Sequence, residues 1–266
     1  MLAMNQTNAA RLQIYFLSII TLLLLIVNTS IAQTKDSAKT IYHFSGSALV
    51  TNNGISVIPS FTLGKPATII NLNMGNQKFS FEPEFRFSLE GKPWSFLFWF
   101  RYKLANTSKF KFNAGFHPAI LFRTVESSVN GVNTSTITGQ RYLAGELSPN
   151  YFVTKNTSVG AYGLYSKGLD PGGNKNTLFL TLNAVFSNIP LSKQLLLRIS
   201  PQVFYLYIDQ HHGYYCNANV AIADKRFPFS ISAMVNKVIT TDIAASQNIV
   251  WNTSLTYSFS HLYNRH

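Results

Sequence analysis

One cysteine, Cys216, stands in a chain of 266 residues, so no intramolecular disulfide exists and the redox compartment leaves no mark. Charge is scarce. Asp, Glu, Lys and Arg make up 12% of the chain, about half the roughly 25% usual in soluble domains. Gly (15) and Pro (10) are not in excess, which excludes collagen-like and low-complexity disordered classes. After the first thirty or so residues no apolar run of about twenty remains, so a helical membrane bundle is excluded. No stretch repeats closely enough for a propeller or solenoid.

Aromatics are abundant, at 14% of the chain. In Lys78–Leu89 the odd positions Phe79, Phe81, Pro83, Phe85, Phe87 and Leu89 alternate with Ser80, Glu82, Glu84, Arg86 and Ser88. After Glu90-Gly91-Lys92 the pattern restarts, with Trp94, Phe96, Phe98, Phe100, Tyr102 and Leu104 on one face. Ser95, Leu97, Trp99, Arg101 and Lys103 take the other. A period of two separates the faces of a β-strand. A face this aromatic aggregates in water but suits lipid, with the polar face lining a lumen.

Residues 1–32 read as a cleaved signal peptide: Arg11, an apolar segment Leu12–Val27, then Ser30-Ile31-Ala32. Residues 33–40 are a polar tail, 41–259 the barrel and 260–266 a C-terminal tail. Alternating segments of about ten residues recur throughout the barrel region. Gly54–Met74 reads as one strand with a bulge at Gly64–Pro66, a turn there being the alternative. Val125–Thr138 is polar, contains Asn130-Gly131, and reads as the longest loop. The expectation is an all-β chain forming a single closed antiparallel transmembrane β-barrel of about twelve strands, fourteen being the runner-up, since single-chain bacterial barrels have even counts. Even parity puts both termini in the periplasm. Val125–Thr138, Gly168–Asn174, Asp209–His212 and Thr240–Ser246 then become outer loops, while Gly75–Gln77, Ala105–Ser108, Lys155–Thr157, Asn188–Lys193 and Asp224–Arg226 become inner turns.

Leu147–Val153 followed by Gly160–Leu164 resembles a strand-turn-strand unit of outer-membrane β-barrel proteins of Bacteroidota-type bacteria, and Ser200–Tyr205 is similar to its first half. Phe259 resembles the terminal aromatic read by barrel-insertion machinery, although Ser260–His266 follow it. The resemblance implies class, outer-membrane location and the insertion machinery as a partner. It implies no activity.

The polar face yields nine lumen-lining candidates: Glu82, Glu84, Arg86, Arg101, Lys103, Lys111, His117, Glu146 and Arg198. They mix both signs, which suits a field that orients solutes or a paired network filling a narrow barrel. Their positions lead to three readings: a narrow pore for small solutes, a plugged structural or assembly-partner barrel, and an outer-membrane lipid hydrolase. An open lumen favours the first and a filled lumen the second. The third rests on His43-Phe44-Ser45, a base–nucleophile spacing without a third member, so no catalytic residue is assigned. Asp209-Gln210-His211-His212 reads as a solvated loop, and neither metal nor cofactor is expected.

Pro59, Pro83, Pro118, Pro149 and Pro201 fall in mid-strand on the lipid face, which suggests regular bulges, a lateral opening being the alternative. The net charge of +12 becomes +11 without Arg11. Lys35, Lys39, Lys78, Lys109, Lys155, Lys193, Lys225, Arg226 and Arg265 fall on the periplasmic side, where lipid headgroups or a periplasmic protein are the expected partners. The signal segment and aromatic strands exclude nucleic acid. Phe98 is expected in lipid and Trp99 in the lumen. Arginine at Trp99 should then be the milder change, provided the lumen has room and water.

Overall fold

The computed structural model describes residues 41–264 apart from 130, 131 and 245; the signal segment and the polar tail lie outside the described residues. The strands are β1 (Ile41–Thr51), β2 (Ala67–Gly75), β3 (Phe79–Ser88), β4 (Pro93–Asn106), β5 (Phe110–Val129) and β6 (Val132–Phe152). They continue as β7 (Thr157–Gly168), β8 (Asn176–Pro190), β9 (Leu195–Ile208), β10 (His211–Asp224), β11 (Phe229–Thr241) and β12 (Ile249–Asn264). Each pairs antiparallel with its chain neighbours, and β1 pairs with β12, so twelve strands close into a barrel without an edge. The alternation expresses itself directly: Leu182 and Ile231 are each 64% exposed on the outer wall, while Phe204 and Tyr215 are buried inside.

Five differences from the sequence expectation have physical causes. Gly54–Pro66 is not a strand. Only Ala67–Gly75 pairs with β1, and the residues before it form a loop with a short 3-10 turn, Pro59–Phe61. The loop pinches shut where Gly54 N donates to Lys65 O (2.7 Å) and Leu63 N to Gly54 O (2.9 Å). Gly64, at φ +71°, supplies the left-handed residue this closure needs. Pro59 therefore sits in the turn rather than in a strand. The count stays at twelve because the whole segment leaves the wall.

Asn130-Gly131 lies outside the described residues, but the rest of Val125–Thr138 is not a loop. β5 and β6 pair continuously from Phe110↔Tyr151 to Val129↔Val132. Water on both faces suits Ser and Thr there, so the apolar alternation fades although the pairing continues. The C-terminal tail is likewise mostly strand: β12 runs five residues past Phe259, because Ser260–Asn264 pair with Ile41–Ser45.

The remaining mid-strand prolines make gaps rather than bulges. Pairing of β2 with β3 breaks between Asn71↔Glu84 and Met74↔Phe81, around Pro83, and resumes in the same register. Pro118, Pro149 and Pro201 interrupt β4–β5, β6–β7 and β8–β9 in the same way. A missing N–H removes rungs without adding a residue. True bulges lie elsewhere. Between Arg86↔Ser95 and Phe87↔Pro93 the extra residue is Trp94. The bulge turns Trp94 off the lipid face expected for it. The residue is 2% exposed and its Nε1 donates to Phe61 O (2.8 Å).

Candidate lumen site

The loop between β1 and β2 folds into the barrel. Ile58, 8% exposed, belongs to one buried cluster with Trp99 of β4, Leu164 of β7, Phe179 of β8, Phe204 of β9 and Tyr215 of β10. These residues come from β4 on one side of the barrel and β7 to β10 on the other, so Ile58 bridges the lumen. Phe61 and Leu63 pack against a second cluster, Ala67, Trp94, Leu121 and Tyr142, with the Phe61 ring 5.3 Å from that of Tyr142. Ile243, from the connection between β11 and β12, is also buried in the first cluster. Ser56 and Thr62 brace the loop by exchanging hydrogen bonds of 3.1 and 3.2 Å.

A charged network lines one wall of the lumen. Arg101 on β4 donates from Nε to Glu146 Oε1 (2.5 Å) and from Nη2 to Glu146 Oε2 (3.3 Å) on β6, and its Nη1 reaches Glu82 on β3. Tyr162 on β7 donates to Glu146 Oε2 (2.6 Å), and Ser80 donates to Glu82 Oε1 (2.6 Å). Arg86 is paired with Glu84, and its guanidinium lies 4.9 Å from the Trp94 ring centre. The Arg101 guanidinium stacks 4.2 Å from Trp99, whose ring meets that of His117 at 3.6 Å between centres. Glu146 has a side chain only 1% exposed, so its charge depends on these partners.

Six of the nine candidates, Glu82, Glu84, Arg86, Arg101, His117 and Glu146, thus share one wall from β3 to β6. The other three stand apart. Lys103 Nζ donates to Asn76 O (3.5 Å) at an inner turn, and Lys111 lies 4.9 Å from the Phe152 ring near the same end. Arg198 sits on β9, exposed, its Nε 3.4 Å from Ser200 Oγ. Of the weaker motifs, His43 Nε2 is bonded to Asn73 Oδ1 (2.5 Å), while Ser45 lies opposite Ser260 in the β1–β12 seam. The Asp209 carboxylate accepts the backbone N–H of Lys175 (3.0 Å) and Asn176 (2.8 Å), and so closes a turn.

The network rests on one residue that alternation does not reveal. Gly115 of β5 lies between Arg101 and Glu146 in the ladder. A Cβ there would stand 2.8 Å from Glu146 Oε1 and 3.1 Å from Arg101 Cγ. The missing side chain lets arginine and glutamate meet across an intervening strand. Gly115→Val is expected to cost about 1–3 kcal/mol through overpacking, read as a lower urea midpoint in lipid vesicles. An unchanged midpoint would show that the network does not need this gap.

Beneath the loop is a cavity of about 160 Å³, lined by Ile58, Phe61, Arg86, Ser95, Trp99 and His117 among others. Ser95 Oγ and His117 Nδ1 are buried without a hydrogen-bond partner, as are Asn183 Oδ1, Asn217 Nδ2 and Asn236 Oδ1 elsewhere in the wall. Buried polar atoms of this kind are ordinarily satisfied by water or a ligand.

No family model and no curated protein matches the sequence. Solved structures do match in fold. A KdgM porin aligns at a TM-score of 0.51 with 13% identity, over 81% of this chain and 99% of that one. A NanC porin aligns at 0.48 with 8% identity, over 84% of this chain and 100% of that one. LpxR from Salmonella typhimurium aligns at 0.46 with 10% identity, over 80% of this chain and 99% of that one. At these identities the likeness is one of fold: the chain is an outer-membrane-type β-barrel.

Proposed function

We propose that this barrel resides in the outer membrane and is a narrow conduit for small solutes, held shut by the loop 52–66. The observation that carries the reading is that the lumen is filled by a loop folded inward over a polar lining, a filling that can withdraw, whereas a plugged structural barrel calls for a fixed one. Ile58 and Phe61 close the outer half by apolar contacts, which are non-directional and reversible. Below them lie paired charges and unpartnered amide and hydroxyl groups, a lining that replaces part of a solute's hydration. The KdgM neighbour is a porin by name, in keeping with the reading. The resemblance of Leu147–Val153 and Gly160–Leu164 to Bacteroidota-type barrels bears on the location alone. We assign no catalysis, because one ring nitrogen of His43 is taken by an amide rather than by a carboxylate or by Ser45.

The test is conductance in a planar bilayer. Burying one isoleucine contributes about 1.5–3 kcal/mol, so Ile58→Ser should raise the open fraction roughly ten- to a hundredfold. Replacing residues 55–63 by a Gly-Ser connector should give a steadily open channel. A silent bilayer with the connector variant, folded by its heat-modifiable gel shift, overturns the conduit in favour of a plugged structural barrel.

A further inference from the structure

The outer wall carries a groove that the conduit does not use. It has a volume of about 900 Å³ and crosses from Phe110 on β5 to Val235 and Lys237 on β11. Six strand-to-strand steps of about 4.8 Å make it about 29 Å long. Its lining includes the small lipid-side residues Ala161, Ala184 and Ala218 and the ladder-breaking Pro149 and Pro201. Exposed Leu182 and Val203 rise along it, at 64% and 51%. Two of the four mid-strand prolines therefore lie in this concavity.

At the outer end stands Lys237. It alternates with exposed Val235 and Ile239, while Asn236 between them is buried in the lumen, so Lys237 faces lipid. Its ladder partners are Cys216 and Ile249, and neither is acidic. Its ammonium has no ion pair or hydrogen bond to any described residue. A lipid-facing cation without a protein partner points to an anionic one. Tyr214, 49% exposed, lies just above on β10 and Trp251, 56% exposed, just below on β12. Exposed aromatics of this kind mark the headgroup level of a barrel. Lys237 is thus at headgroup height, and the groove descends from it into the hydrocarbon.

We infer that this groove binds a phosphorylated glycolipid of the outer leaflet, with a phosphate on Lys237 and one acyl chain over the small residues Ala218, Ala184 and Ala161. The occupant is an outer-leaflet lipid because Lys237 lies toward the loop end of β11, opposite the end that holds both termini. In a bacterial outer membrane that leaflet presents phosphates on an acylated glucosamine unit. The contacts divide accordingly: a charge-assisted contact fixes the headgroup, and small side chains leave room for a methylene chain. The inference stands whether or not the lumen conducts.

The experiment is native mass spectrometry of the full barrel in detergent, titrated with lipid A or with phosphatidylglycerol. One tightly retained lipid A per barrel is expected, and weaker phosphatidylglycerol retention. Lys237→Ala should weaken lipid A binding about fivefold, the contribution of one cation near a lipid phosphate, and Lys237→Arg should restore it. Ala184→Phe, which fills the groove from the lipid side, should abolish it. Cys216, directly across from Lys237, gives a second readout in the unaltered protein. Lipid A should slow its alkylation by a membrane-permeant maleimide about tenfold, as a covering chain shields the thiol. Equal retention of lipid A by Lys237→Ala and Ala184→Phe, or unchanged alkylation of Cys216, would overturn the site. Phosphatidylglycerol bound as tightly as lipid A, with the same dependence on Lys237, would overturn the glycolipid as its occupant.

Discussion

Arg101→Ala is expected to destabilise the barrel by about 3–4 kcal/mol, because it strands two carboxylates that share one cation. The guanidinium is the only bridge between Glu82 and Glu146 among the described residues, and Glu146 has a nearly inaccessible side chain. Tyr162 still donates to Glu146, but a neutral hydroxyl does not replace a charge. Removing one partner of a buried pair costs about 3–5 kcal/mol. The lower part of that range applies, since the Arg101 side chain is 26% exposed and solvent screens it partly. The measurement is urea unfolding in lipid vesicles, followed by the heat-modifiable gel shift. The triple variant Arg101→Met with Glu82→Gln and Glu146→Gln should recover much of the loss, because neutral partners need no compensation. A loss below about 1 kcal/mol for Arg101→Ala would class the network with exposed surface pairs and remove its claim to shape this wall. No recovery in the triple variant would attribute the loss to packing, since Arg101 also stacks on Trp99.

The barrel itself was legible because lipid and lumen impose opposite demands on neighbouring residues. Phe79 to Ser88 shows this, as does Ile249 to Phe259. What alternation misses has a common cause: it is set by a partner strand or by the third dimension. Trp94 turns inward because β3 has one residue fewer at that level, and nothing in its own strand announces that. Ile55, Val57, Pro59, Phe61 and Leu63 alternate like a strand, yet Ile58, on the other phase, is the loop residue buried in the first cluster. A loop buried in a lumen is apolar on several sides, so its pattern mimics a wall. Gly115 carries no signal at all, since a glycine in a strand has several ordinary explanations. The charged residues were legible as a set. Their division into a six-membered cluster and three outliers depends on register across β3 to β6.

The filled lumen also reverses an expectation about two adjacent side chains. Phe98→Arg places a charge on the lipid face of β4, which costs about 2–4 kcal/mol near the bilayer midplane. Trp99→Arg is the milder change only in a lumen with room and water. Trp99 is 9% exposed, packs in the cluster with Ile58, and lies against His117 and the Arg101 guanidinium. Truncating a buried tryptophan costs about 3–5 kcal/mol, and a new guanidinium would add repulsion from Arg101 and Arg86 without an acid to spare, since Glu82, Glu84 and Glu146 are already paired. Trp99→Arg is therefore expected to be at least as damaging as Phe98→Arg, although Trp99 faces inward. Stability alone then no longer distinguishes the faces. Cysteines at 98 and 99, each in a Cys216→Ser background, do: a lipid-soluble maleimide should label position 98 and spare position 99. If Trp99→Arg instead falls within about 1 kcal/mol of the parent, the lumen at this level tolerates a solvated charge, and the loop 52–66 does not seal it. If position 99 takes the lipid-soluble label and position 98 does not, the faces of β4 are exchanged, and the Arg101 network would have to meet hydrocarbon, where none of its charges could remain.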